Sequence, residues 1–141
     1  MPVRPPQNSR IIDANIILRF LLNDSPEKAE RCSLLLQRVE SGEESVFLPD
    51  LALADIVWTL EKFYRQPKGK IRELMLPIIS LRGMRLTNKS EALKALNFYV
   101  EKNLDWTDAF IAASMEVYGS REIYSYDKHF DRVESIVRLE P

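Results

Sequence analysis

The sequence predicts an α/β fold with a mostly parallel sheet. Two observations carry this expectation: short β-like runs alternate with longer helical ones, and turn signals separate them at regular intervals. A third bears on function. Four aspartates, Asp13, Asp55, Asp108 and Asp127, each adjoin an apolar run that reads as core.

Arg10 to Asp13 reads as the first short strand, and a helix follows through Ile16, Ile17, Phe20 and Leu21. Asn23-Asp24-Ser25-Pro26 punctuates, with Ser25 placed to cap the next helix and Pro26 at its first position. That helix carries Ala29, Cys32, Leu35, Leu36 and Val39 at helical spacing and stops at Gly42. Val46 to Leu48 is the second strand. Pro49-Asp50 opens a helix running to about Tyr64, broken by Pro67-Lys68-Gly69-Lys70. A further helix spans residues 71–80, and Met84 to Leu86 is a weak strand. Residues 88–101 form a helix with Ala92, Leu93, Leu96 and Val100 on one side. Asp105 or Thr107 caps the next helix, which ends at Gly119. Glu122 to Ser125 and Ile136 to Leu139 are the last strands.

The 141 residues suit one domain of about 100–200 residues. Pro2, Pro5 and Pro6 mark residues 1–9 as a disordered, Pro-rich tail without the apolar stretch of a secretory signal, leaving 10–141 as a single domain. No apolar run approaches the roughly 18–20 residues of a membrane span. Cys32 is alone, so no internal disulfide forms, and a reducing cytoplasm is the expected location. On its amphipathic helix, Cys32 reads as a packed or idle thiol. The net charge of −1 gives no bulk attraction to nucleic acid, so any such contact needs a local patch. Lys62, Arg65, Lys68, Lys70 and Arg72 form the candidate, with Phe63 and Tyr64 interleaved and no acid among residues 62–72; a solvated helix end is the plainer reading.

The acids are harder to explain as ordinary surface charge. An ionised carboxylate in apolar surroundings needs compensation, and two unit charges 4 Å apart repel by roughly 4 kcal/mol at an effective dielectric of 20. Mg²⁺ or Mn²⁺ supplies that compensation, being a hard cation that prefers carboxylate oxygens. Asp13 and Asp127 close strands at their carboxyl ends, Asp108 lies in a first helical turn, and Asp55 lies early in another helix. In open α/β sheets, sites form beyond the carboxyl ends of strands. Each acid also has a plain reading: Asp13 as a helix cap, Asp108 beside Asp105 as first-turn charge, Asp127 next to Lys128 as a turn carboxylate. Asp50 reads as a cap. Asp55 has Leu51, Ala52, Trp58 and Thr59 as its helical neighbours and no cation among them, so it is expected to face the interior.

His129 is the only histidine and reads as a surface residue of the turn after Asp127, which excludes a two-histidine ribonuclease mechanism. No Cys/His zinc spacing and no Gly-rich phosphate loop occurs. A haloacid-dehalogenase-type phosphotransferase needs an acid two residues past the strand-end aspartate, where this chain has Asn15. A receiver-like domain needs an acid pair where Asp13 is flanked by Ile12 and Ala14.

Four segments, in order, resemble the motifs of the PIN-domain family and, within it, the VapC toxins of toxin–antitoxin pairs. They are Ile-Ile-Asp-Ala-Asn from Ile11, Leu-Ala-Leu-Ala-Asp-Ile-Val-Trp from Leu51, Asp-Trp-Thr-Asp-Ala-Phe from Asp105, and Ile-Tyr-Ser-Tyr-Asp-Lys-His-Phe from Ile123. The resemblance covers residues 10–141. It implies a three-layer α/β/α sandwich and a Mg²⁺- or Mn²⁺-dependent nuclease acting on RNA. Asp13, Asp55, Asp108 and Asp127 would be its metal-binding acids, with Asn15 and Ser125 as groups that orient them. It also implies an antitoxin protein partner and a homodimer. The family usually has glutamate where Asp55 stands, one methylene longer, so Asp55 would reach a metal through water. The alternative expectation is a PIN-like module that binds RNA or protein with weak or no nuclease activity.

Overall fold

The computed structural model describes residues 9–23 and 25–141. The expected tail, Ser9 apart, lies outside them, as does Asp24. The chain divides into two compact units, Met1–Lys89 and Ser90–Pro141.

The first unit holds a three-stranded parallel sheet in the order β1 (Arg10–Ile11), β2 (Val46–Phe47), β3 (Met84–Arg85). Arg10 pairs with Val46, and Val46 with Met84. Backbone bonds extend the pairing past the strand ends: the Ile12 N–H donates to the Phe47 carbonyl at 2.9 Å and the Leu48 N–H to the Arg85 carbonyl at 2.8 Å. The middle strand is buried on both faces, as its unbroken run Val46-Phe47-Leu48 requires.

Helix α1 (Ala14–Leu22) follows β1 at once because Asp13 caps it: the carboxylate accepts the Asn15 N–H. Asn23, left-handed at φ 51°, ends it. Helix α2 (Pro26–Ser41) starts after Ser25, which holds the cap position without a side-chain cap bond, and stops at Gly42 in the left-handed conformation, as expected. Cys32 is buried on it.

Helix α3 (Asp50–Trp58) runs directly into a π-helical turn, Thr59–Phe63, where a uniform helix to Tyr64 was expected. The Tyr64 N–H donates to the carbonyl of Thr59, five residues back, and the Gln66 N–H to that of Leu60, six back. Arg65 adopts φ 52° to make that reversal. Helix α4 (Lys68–Ile79) then begins immediately after Pro67, three residues sooner than expected. Gly83, just before β3, packs against the chain after α2. A Cβ there would stand 2.1 Å from the Glu44 carbonyl oxygen and 2.8 Å from that of Val39.

The second unit contains α5 (Lys89–Glu101), α6 (Trp106–Tyr118) and a parallel pair, β4 (Glu122–Tyr124) and β5 (Val137–Leu139). Tyr99, Leu104 and Trp106 are buried where α5 turns into α6, with the Tyr99 and Trp106 rings edge-to-face at 5.8 Å. Residues 125–136 connect β4 to β5 and include a 3₁₀ turn, Lys128–Arg132. Arg138 on β5 holds this connection by bonding the Asp131 and Glu140 carboxylates and the Ser125 carbonyl. All strand pairs are parallel, and the α/β class is that of the sequence expectation.

Candidate metal centre

In the second unit the chain brings together Asp108, Asp127 and His129. One ligand atom from each lies within 4.8 Å of the others. Asp108 comes from the first turn of α6, whose N-cap is Asp105. Asp127 caps the 3₁₀ turn: its Oδ1 accepts the His129 N–H at 2.9 Å, and its own N–H donates to Ser125 Oγ at 2.9 Å. The same Oδ1 lies 3.2 Å from His129 Nδ1.

The two carboxyls are driven in opposite directions. Burial raises the Asp108 pKa first, and the negative charge of Asp127, a hydrogen bond shared with it and the charge of Asp105 raise it further. The backbone N–H of His129 holds Asp127 below the ordinary carboxylate range, with help from the imidazole and from Arg132. Of the two, Asp108 is the carboxyl that holds a proton to the higher pH. A divalent cation would compensate the negative charge of the pair. Two carboxylate oxygens and one imidazole nitrogen fit Mn²⁺ well, and the carboxylates fit Mg²⁺. The sequence reading left His129 on the surface. Its side chain is exposed, but it also flanks Asp127, an approach signalled only by the spacing of two from a turn aspartate.

Asp13 and Asp55 belong to the first unit. Asp13, besides capping α1, is solvent-exposed, and Asn15 meets it through its backbone N–H at 3.4 Å. The expectation that Asp55 faces the interior is overturned. Asp55, Leu51 and Trp58 share an exposed face of α3, because Leu53, Ile56 and Val57 take the buried one. The Asp55 carboxylate accepts the Thr59 hydroxyl at 3.5 Å. Asp50, expected as a cap, is the first residue of α3, with Pro49 in the cap position, and burial raises its pKa.

The basic segment straddles the π turn and the start of α4. Lys62 pairs with Glu61 at 2.7 Å and Lys70 with Glu73 at 3.8 Å. The first turn of α4 carries Lys68 and Lys70 and no acid. Cations there oppose the helix dipole, offset in part by the Lys70–Glu73 pair.

The PIN domain family model matches residues 10–136. A VapC ribonuclease of Aquifex aeolicus (strain VF5) is 20% identical over 124 residues, covering 88% of this chain and 91% of that protein.

Proposed function

From the premise that the chain belongs to the PIN-domain family, we propose that it is a divalent-metal-dependent endoribonuclease and the toxin of a VapBC-type pair. The observation that carries this reading is the Asp108–Asp127–His129 cluster, a hard-donor group raised on a strand end and a helix start in a chain of this family. The similarity to a VapC ribonuclease supports RNA as substrate.

Asp108 and Asp127 are the proposed direct ligands. Asp13 and Asp55 are proposed as further metal-binding acids on the strength of their motifs, with Asn15 and Ser125 orienting them. When bound, Mg²⁺ or Mn²⁺ supplies charge neutralisation and a water of lowered pKa. The residues have separate tasks. The His129 N–H fixes the Asp127 carboxylate, and Ser125 Oγ fixes the backbone beneath it. Lys62, Arg65, Lys68, Lys70 and Arg72 are the proposed contacts to the RNA backbone. Hydrolysis would leave 5′-phosphate and 3′-hydroxyl ends.

The two compact units are proposed to work as one nuclease domain of residues 10–141, since the family model spans both. An antitoxin that covers the acids with a basic residue is the proposed partner, with Leu51 and Trp58 available to a homodimer. No helix among the described residues is long and apolar enough to cross a membrane, and the lone thiol supports a cytoplasmic location. Asp55 in place of the family's usual glutamate supports a second reading, an RNA- or protein-binding module with a weakened site.

The test is cleavage of end-labelled structured and single-stranded RNA with Mn²⁺, Mg²⁺ or chelator, beside Asp108→Asn. Metal-dependent cutting that the variant loses establishes the nuclease. Products ending in 2′,3′-cyclic phosphate overturn the mechanism, and absence of both cutting and Mn²⁺ binding selects the module.

A further inference from the structure

The π turn builds one wall of a groove in the first unit. Thr59, Phe63 and Tyr64 face Asn15, Leu18, Arg19 and Leu22 of α1 across a space of about 280 Å³. Phe63 is 72% exposed and Tyr64 36%, their rings set edge-to-face at 4.9 Å. Two neighbouring exposed aromatics offer a surface on which a flat ligand can stack. Among the described residues, Arg19 is the only charged one lining the groove.

The polar end of the groove leads to the acids. The Asn15 N–H bonds the Asp13 carboxylate, and the Thr59 hydroxyl bonds that of Asp55. Arg65 follows Tyr64 directly in the chain and holds a left-handed backbone that an arginine adopts at a cost. An arginine, two exposed rings and the bonding partners of two of the proposed metal acids therefore line one small cleft.

We propose that this groove is the subsite for one unpaired nucleobase, stacked on the Phe63 ring with the Tyr64 ring against its edge, and with Arg19 and Arg65 taking the adjoining phosphates. This deepens the nuclease reading and rests on it. The volume lies just under the roughly 300–1,000 Å³ of small-ligand clefts, room for one flat ring system and little more. A base still paired in a duplex presents its edge and not its face, and cannot stack there. A basic peptide entering the same groove would meet Arg19.

The experiment uses the full chain, in chelator so that nothing is cut, and a short single-stranded RNA carrying 2-aminopurine, whose fluorescence falls when it stacks on an aromatic ring. The same sequence held in a duplex is the comparison. The expected result is quenching of the single-stranded probe only. Phe63→Ala should weaken binding roughly tenfold and abolish the quench, while Phe63→Trp keeps both. Arg19→Met should flatten the log–log salt dependence by about 0.7. Unchanged affinity and quench in Phe63→Ala and Tyr64→Ala, or equal binding of the duplex, overturns the proposal and leaves the groove to a protein. Mn²⁺-dependent cutting by the same preparations separates the two readings. Normal cutting without quenching removes the subsite alone. Quenching without cutting at any metal concentration removes the nuclease and retains an RNA-binding groove.

Discussion

Asp108 and Asp127 share one hydrogen bond, yet the fold pushes one carboxyl up and the other down. The asymmetry has a local cause. Asp127 has a backbone N–H aimed at its oxygen, whereas Asp108 has burial and a carboxylate neighbour.

The sign of the resulting pH dependence follows. A raised Asp108 pKa contributes stability that is complete below the unfolded value of 3.8 and is lost as pH rises through the folded value. Asp127, lowered, contributes stability above 3.8 that is lost as pH falls through its folded value. Asp108→Asn is therefore expected to raise the metal-free Tm relative to wild type above the folded Asp108 pKa. The advantage should shrink toward zero near and below pH 3.8. Thermal unfolding in chelator across pH 3 to 7 reads this directly. An advantage that is constant with pH would show that Asp108 is not raised.

Metal binding should reverse that ranking. Mn²⁺ at about 100 times its Kd is expected to stabilise the wild type by about 2.7 kcal/mol and Asp108→Asn much less. His129→Gln should weaken Mn²⁺ binding about tenfold and Mg²⁺ binding less, because imidazole nitrogen suits Mn²⁺ better. Titration calorimetry with the two ions checks it, and equal losses would remove His129 from the ligand set.

Gly83→Ala is expected to destabilise by at least about 2 kcal/mol, beyond ordinary overpacking, because the colliding atom is a backbone carbonyl with no rotamer to retreat into. The Gly83 carbonyl also accepts the Val46 N–H at 2.9 Å, so the strain falls on the β2–β3 register. Urea unfolding gives the number.

Arg65→Asn should separate stability from binding. Asparagine tolerates the left-handed conformation better than arginine, so stability is expected to hold or rise by about 0.5 kcal/mol. RNA affinity should fall, with a flatter salt dependence. A loss of stability with unchanged affinity would place Arg65 in the structure and not in recognition.

Most elements were legible because their punctuation is local. Pro26, Gly42 and Gly119 each bound a helix by chemistry that acts over one or two residues, whereas Pro67-Lys68-Gly69-Lys70, read as a break, already holds the start of α4. The π turn was not, since an added residue in a helical turn leaves the apolar spacing of Ile56, Val57 and Leu60 intact. Asp55 was misread for a related reason. Leu51 and Trp58 look like core companions three and four residues away, but α3 is apolar nearly all round, and periodicity alone could not choose its buried face. Asp108 and Asp127 were found as isolated acids. Their meeting with His129 depends on the path of residues 125–136, which no local pattern encodes.

The hold of Arg138 and β5 on that path bears on synthesis. The β4–β5 ladder needs Val137–Leu139, so a chain emerging from the ribosome cannot close the Asp127 turn until those residues have left the exit tunnel. The first unit can have its sheet in place long before. The Asp108–Asp127 pair therefore comes together only after the sheet of the first unit can have formed.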